Sequence, residues 1–262
     1  MKSAVTPEEE WYKILTEGEP IPRRLYHLNG LLPSDPRCKL CGAPFKGWGG
    51  FLMHLMGRDP SRYNPRFCVK CQVWEHPGGA EVSLTMLFAD VRGSTTLAEQ
   101  MSPREFSQLI NRFYTVATHV LIQTDALVDR LMGDEAIGLY IPGFAGPEHP
   151  RRAIEAAQDL LRLTGHRDAK GPWLPVGIGV HTGPAFVGVV GDEGSTADFT
   201  ALGDNVNITA RLASQAGLGE ILISDSAFAA ADIDLGDLEH RQLELKGRSE
   251  PTGVHVLRVS AN

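Results

Sequence analysis

At 262 residues, with 42% hydrophobic and 22% charged side chains, the chain has an ordinary globular composition and room for one large domain or a normal domain with a small appendage. Its formal charge of −7 excludes a general attraction to phosphate backbones or anionic membranes, so bulk nucleic-acid binding is not expected and an anionic ligand must meet locally placed cations or metals. The N-terminus reaches Glu8-Glu9-Glu10 without the basic and apolar stretches of a signal peptide, and runs such as Val120-Leu121-Ile122 are far too short to span a bilayer. A cytoplasmic protein without membrane contact is therefore expected.

The four cysteines all fall in a segment from about 33 to 77 that is rich in Pro, Gly and basic residues and shows no sustained helical or strand period. Cys38-Lys39-Leu40-Cys41 and Cys68-Val69-Lys70-Cys71 form two C-x-x-C knuckles, each able to place two thiolates on one tetrahedral ion. In a reducing compartment this predicts one structural Zn2+ whose binding folds a small zinc-ribbon-like module within an N-terminal region of residues 1–79. His54 and His76 are expected to face solvent, because four thiolates already complete the tetrahedron. Lys39, Lys46, Arg58, Arg62, Arg66 and Lys70 read as a solvated basic surface.

A second domain is expected over residues 80–262. Val82 to Val91 reads as a buried strand. Ser102-Pro103-Arg104-Glu105 is a capping box with proline at the first helical position, and Phe106, Leu109, Ile110, Phe113, Ala117 and Val120 follow at helical spacing. Ala126 to Met132 and Ala136 to Ile141 read as strands around the turn Gly133-Asp134-Glu135, and Pro150 to Leu163 as a helix. Val176 to Val180 and Ala185 to Val190 read as a hairpin around Thr182-Gly183-Pro184, followed by a helix from Asp204 to Gln215. Short strands near Ile221 to Ile223, Gln242 to Leu245 and Val254 to Val259 complete an α+β sandwich, with helices on one face of a mainly antiparallel sheet.

The chemistry concentrates at Asp90, at the end of a buried strand, and at Asp134, in a tight turn after Gly133. Two carboxylates on neighbouring strand ends can hold a pair of divalent cations for in-line phosphoryl or nucleotidyl transfer, and the backbone of Gly93-Ser94-Thr95 can face phosphate. Either carboxylate alone would mean little, since turn aspartates are common.

Three ordered segments make the resemblance specific: Leu87-Phe88-Ala89-Asp90-Val91-Arg92-Gly93-Ser94-Thr95, then Met132-Gly133-Asp134, then Gly203-Asp204-Asn205-Val206-Asn207-Ile208-Thr209-Ala210-Arg211-Leu212. From about Glu81 to the C-terminus the chain resembles the class III adenylate and guanylate cyclase catalytic domain, which implies a ferredoxin-like α+β sandwich. The resemblance makes Asp90, Asp134 and the Val91 carbonyl ligands of two Mg2+ or Mn2+ ions, and Lys246 the partner of the triphosphate. It assigns Asn207 to the ribose and Arg211 to the charge developing on the α-phosphate. Alone, this i,i+4 pair would read as polar decoration on an amphipathic helix. In the family the metal carboxylates and the Asn/Arg pair come from different subunits, so a homodimer is implied.

The base-reading positions are Arg130 and Thr200, where adenylate-forming members typically carry Lys and Asp or Thr. Thr200 can accept from the adenine amino group, whereas Arg130 offers only donors, and no carboxylate stands there to meet guanine. ATP is the first expected substrate, UTP or CTP the second and GTP the last. The stretch Asp192 to Asp198 lacks the arginine that several relatives use for the triphosphate. A catalytically degenerate domain that only binds a nucleotide or a partner is the rival reading.

Overall fold

The computed structural model describes residues 6–18, 29, 36–38, 41–61, 65–66, 68–71, 78–191 and 198–259, and at 130–132 and 198 the backbone alone. These form two units: Met1–Val82 with Pro142–Phe144 and Phe186–Ala201, and Ser83–Ile141 with Ala145–Ala185 and Leu202–Asn262.

In the first unit, Thr6 opens α1 (Pro7–Glu17) through a capping box: Thr6 Oγ1 accepts from the Glu9 amide at 3.2 Å and Glu9 accepts from the Thr6 amide at 2.9 Å. This helix escaped the sequence reading. Its buried Trp11 stacks on Phe199, with ring centroids 6.2 Å apart. A further departure is α2 (Gly47–Leu55), inside the segment expected to lack a helix. Its glycines hide the helix from propensity, and one of them is forced by packing, since a Cβ on Gly50 would sit 2.5 Å from the Phe45 carbonyl carbon. Met53 on this helix joins Ala43 and the four cysteines in a small buried cluster flanked by Phe45 and Phe144.

The strands are β1 (Gly78–Val91), β2 (Leu127–Met132), β3 (Glu135–Tyr140), β4 (Val176–Val190), β5 (Asp198–Leu202), β6 (Glu220–Ser224), β7 (Glu239–Leu243) and β8 (Thr252–Arg258). Their order is β2-β3-β1-β4-β6-β8-β7, with β5 paired to β4. The β1–β3, β2–β3, β6–β8 and β7–β8 pairs are antiparallel, whereas β4 and β6 run parallel.

In the second unit a short α3 (Ser94–Gln100) follows β1, and Ser102 opens the long α4 (Pro103–Gln123) with both halves of its capping box in place. The helices α6 (His149–Leu163), α7 (Asp204–Gln215) and α8 (Asp225–Ala231) follow here, whereas α5 (Pro142–Ala145) falls almost wholly in the first unit. Phe113, Ala117 and Leu121 of α4, Ile154, Leu160 and Leu161 of α6 and Ala227 of α8 pack on Leu87, Ile178, Val180, Ile221 and Ile223 of the sheet. Leu222, Val254 and Val256 face the other way and meet Ile208, Leu212 and Ala216 of α7. Helices therefore cover both faces rather than one, because alternate strand residues are apolar on each side.

A second correction concerns β4, which is one strand of 15 residues where a hairpin was expected. The Gly-Pro signal there answers to a close approach instead of a turn. A Cβ on Gly183 would lie 2.7 Å from Asn205 Cγ, and Asn205 Nδ2 donates to the Pro184 carbonyl at 2.6 Å, so the strand stays bare where α7 docks. Among the described residues no helix is long and apolar enough to cross a membrane.

Candidate functional site

The β1–β3 register places Asp90 directly opposite Glu135, on the same face of the sheet, with Asp134 in the turn beside them. The Val91 amide donates to the Asp134 carbonyl at 3.0 Å, which ties the two predicted metal-binding positions together through the backbone. Tyr114 of α4 donates its hydroxyl to the Gly133 carbonyl at 2.9 Å and so fastens the same turn from the helix side. The φ of 66° at Gly133 is a conformation that a side chain would oppose.

Two groups already engage the carboxylates. The Arg92 guanidinium pairs with Asp90, and the Ser94 hydroxyl donates to Asp134 Oδ2. Arg92 also donates from Nη1 to the Ser214 carbonyl at 2.6 Å, linking the loop after β1 to the last turn of α7. Burial pushes the Asp90 carboxyl above its ordinary pKa, Arg92 opposes this, and the Asp134 charge adds to it. Glu135 is raised by burial and then by Asp90 and Asp134. Asp90 and Asp134 are hard oxygen donors suited to Mg2+ or Mn2+, Glu135 adds negative charge beside them, and Arg92 balances part of that charge. The sequence reading named Asp90, Asp134 and Ser94 as site candidates; it did not name Arg92, which pairs with Asp90 two residues before it, or Glu135, whose place depends on the pairing of β1 with β3.

Gly93 adopts a left-handed φ of 67° at the cap of α3, so the first-turn amides after it, including those of Ser94 and Thr95, are the ones a helix leaves without internal partners. Thr95 itself is exposed.

The second group of predicted residues gathers around α7. Asn207 and Lys246 are exposed and Arg211 is half-buried. A Cβ on Gly247 would lie 3.6 Å from Arg211 Nη2, so the guanidinium lies along the loop that carries Lys246. That loop is fastened to the helix at both ends, by an ion pair between Arg248 and Asp204 and by a 3.2 Å bond from Gln215 Nε2 to the Glu244 carbonyl. Arg211 Nη1 is buried and has no hydrogen-bond partner among the described residues. No hydrogen bond or ion pair among those residues joins Asn207, Arg211 or Lys246 to Asp90 or Asp134.

Of the base-reading positions, Thr200 is buried on β5 in the first unit, and Arg130 follows a register shift in β2, its side chain outside the described residues. Residues 192–197, and the side chain of Asp198, also lie outside them, as does His76.

Cys38, Cys41, Cys68 and Cys71 are buried and unoxidised, and their sulfur atoms all lie within 4.8 Å of one another. The Sγ atoms of Cys41 and Cys68 are 3.6 Å apart, close to the roughly 3.8 Å of a tetrahedron with bonds of about 2.3 Å to zinc. The Cys68 amide donates to Cys38 Sγ at 3.2 Å, and Arg58 approaches Cys68 Sγ at 3.9 Å, so one of the basic residues serves the sulfur cluster and not merely the surface. Hydrogen bonding from Cys38 lowers the Cys68 thiol to about 7. His54 is exposed and hydrogen-bonded to Asp59 at 2.6 Å, away from any ligand role.

A family model described as the adenylate and guanylate cyclase catalytic domain matches residues 80–258. An adenylate cyclase of Anabaena cylindrica is 28% identical over 193 residues, covering 67% of this chain and 37% of that protein. The human atrial natriuretic peptide receptor 2 is 31% identical over 183 residues, covering 68% of this chain and 17% of the receptor. The chain thus spans little more than a third of the first relative and less than a fifth of the second. The crystal structure of the guanylyl cyclase Cya2 superposes with a TM-score of 0.62 at 26% identity, covering 71% of this chain and 95% of that one. The adenylyl cyclase CyaB of P. aeruginosa shares the fold with a TM-score of 0.60 at 24% identity, covering 68% and 95%. The mixed α+β fold with its mainly antiparallel sheet is the one these proteins have.

Proposed function

The chain belongs to the adenylate and guanylate cyclase catalytic domain family, and on that premise we propose that it converts a nucleoside triphosphate, ATP foremost, to the 3′,5′-cyclic monophosphate and pyrophosphate. In this reaction the ribose 3′-oxygen bonds to the α-phosphorus, the bond from that phosphorus to the β-phosphate bridge breaks, and the 3′-hydroxyl proton passes to water. The observation that carries the reading is the joining of Asp90 and Asp134 at adjacent strand ends by the 3.0 Å bond between Val91 and Asp134. Two Mg2+ or Mn2+ ions held by Asp90, Asp134 and the Val91 carbonyl would lower the pKa of the 3′-hydroxyl and stabilise departing pyrophosphate. Arg92 must release Asp90 for that to happen. Asn207 orients the ribose, Arg211 meets the transition-state charge on the α-phosphate, and Lys246 with the amides of Gly93, Ser94 and Thr95 holds the triphosphate. Arg130 and Thr200 read the base.

We also propose a homodimer in which one protomer's carboxylates face its partner's Asn207 and Arg211. The exposure of Asn207 and Lys246 and the unpartnered Arg211 Nη1 support it. Residues 80–262 form the catalytic region and residues 1–79 an N-terminal region in which the four cysteines hold one structural zinc. The convergence of four sulfurs within 4.8 Å supports the zinc site, and a reducing cytoplasm would keep the thiols ready. Metal analysis of the reduced protein should return at least one zinc per chain; zinc-free protein that stays folded would reject the site.

Incubation with each of the four ribonucleotides and Mg2+ or Mn2+, followed by chromatography, tests the reaction. Cyclic AMP should dominate. A cyclic pyrimidine nucleotide as the main product would move the base assignment, and no cyclic product at all would overturn catalysis. The second reading, nucleotide binding without turnover, draws on one observation: Arg92 and Ser94 already occupy both carboxylates.

A further inference from the structure

The β7–β8 hairpin carries a cluster of metal-ligating side chains for which the proposed reaction has no use. His240 and His255 are directly opposed across the two strands, and Asp225, at the first position of α8, reaches over to both. Asp225 Oδ1 lies 2.9 Å from His240 Nε2 and 3.4 Å from His255 Nε2, and one ligand atom from each residue falls within 4.8 Å of the others. Bonds of about 2.0–2.1 Å in a tetrahedral zinc site put neighbouring ligand atoms roughly 3.3 Å apart, close to both distances from Asp225.

Two features outside the ligand set fix this geometry. The His255 ring stacks on Phe228, one helical turn after Asp225, with centroids 3.8 Å apart and planes 20° from parallel. Gly253 leaves bare backbone beneath the carboxylate: a Cβ there would come within 2.0 Å of Asp225 Oδ2, so a larger residue would push the carboxylate out of its present position. The other face of the hairpin is charge-balanced in a different way, by Arg241 and Arg258 shared between Glu220 and Glu239.

We propose that Asp225, His240 and His255 form a transition-metal site, separate from the nucleotide site and the cysteine cluster, that takes a Zn2+- or Ni2+-type ion and staples the β7–β8 hairpin to α8. Two imidazole nitrogens and a single carboxylate select such ions over Mg2+ and Ca2+, which prefer oxygen. The three protein ligands leave a fourth position to water. The loop between β7 and β8 holds Lys246, and the His240–His255 pair lies three rungs from the Leu243–Thr252 pair that closes this loop. An ion here stiffens the base of the element that presents Lys246.

The test is a calorimetric titration of the 262-residue chain with Ni2+, its thiolates already loaded with a single equivalent of Zn2+ and Mg2+ present in excess to occupy the carboxylate end. Wild type should bind one further Ni2+ per chain. His240→Ala should weaken that binding by about tenfold or more, and His255→Ala likewise. Asp90→Asn should leave it unchanged. His240 is exposed, so its variant should fold, and circular dichroism checks this. Amide exchange gives an independent readout: Ni2+ should slow exchange across residues 239–258 in wild type and not in His240→Ala. No further Ni2+ bound by wild type, equal binding by the folded His240→Ala chain, or loss of binding in Asp90→Asn alone would each overturn the proposal. None of these outcomes depends on turnover.

Discussion

The two ends of the proposed nucleotide site are built on opposite principles. At the β1–β3 end, Asp90 is half-buried, its neighbour Asp134 is tied to Val91 through the backbone and to Ser94 through the side chain, and Tyr114 clamps the turn. At the α7 end, Asn207 and Lys246 stand in solvent and Arg211 Nη1 finds no partner among the described residues. A preformed half holds charge in place before substrate arrives, which is what metal ligation and electrostatic stabilisation require. An exposed half with unspent donors is what a surface looks like when its complement comes from outside, which in the proposed homodimer is substrate and a second protomer.

The largest effect tests the preformed half. Asp90→Asn should reduce turnover by more than about a thousandfold, because the amide cannot supply the anionic ligand the metals need. The folded state should not suffer: burial already disfavours the Asp90 anion, so thermal unfolding should show a variant at least as stable as wild type. A variant that loses activity and stability together would mean that Asp90 is structural.

Next comes the exposed half. Arg211→Ala should lower turnover by about 10²–10³, the cost of one transition-state donor. Mixing it one to one with Asp90→Asn should restore activity if the halves come from different protomers. Half of the randomly assembled dimers would be mixed, each with one intact site, so roughly a quarter of wild-type activity is expected. No recovery under conditions of subunit exchange would place both halves in one protomer.

Much of this asymmetry was written locally and some of it was not. The capping box at Ser102, the apolar stripe of α4 and the turn at Gly133 depend on neighbours in sequence, and all appear where the pattern puts them. Asp90 and Asp134 were legible because strand ends and tight turns have local signatures. Glu135 was not, since its place opposite Asp90 arises only when β1 and β3 pair, and neither was Arg92, whose guanidinium is held between Asp90 and the Ser214 carbonyl of the distant α7. The same distinction explains β4: Gly183 and Pro184 carry turn chemistry, yet the conformation there is decided by Asn205 on a helix some twenty residues later. The α2 helix was hidden for the converse reason, since packing against Phe45 demands a glycine that propensity counts against a helix.

The preformed end also carries an acid liability. Thr85, on the strand that carries Asp90, hydrogen-bonds His149 Nδ1 at 2.8 Å and Thr182 at 2.7 Å, and burial lowers the His149 pKa to about 4. Unfolded, the same ring titrates near 6.5, so between these values the unfolded chain binds a proton that the native chain refuses. His149 therefore costs no stability above about pH 6.5, and the penalty grows as pH falls towards 4. At pH 5 it amounts to roughly 2 kcal/mol, about 1.5 pH units at 1.36 kcal/mol each. Denaturant unfolding at pH 5 and pH 7 reads it together with His166 and His181, whose pKa values burial also lowers, and His149→Gln should remove its own share of the difference. An unchanged pH slope in that variant would assign the acid sensitivity elsewhere.

The smallest effect belongs to the most exposed residue. Lys246 sits on a loop fastened at Asp204 and at Gln215, so its replacement disturbs no packing, and its ammonium contributes only a solvated point charge to the triphosphate. Lys246→Ala should raise KM about tenfold, equivalent to some 1.4 kcal/mol, with kcat changing less. Lys246→Arg should recover much of that loss, because charge and not fork geometry is needed there. High salt should narrow the gap between Lys246→Ala and wild type, whereas the deficit of Arg211→Ala, acting from a half-buried position, should persist. Equal salt sensitivity of the two variants would show that Arg211 acts as a surface charge like Lys246, which would erase the division of labour within the α7 end.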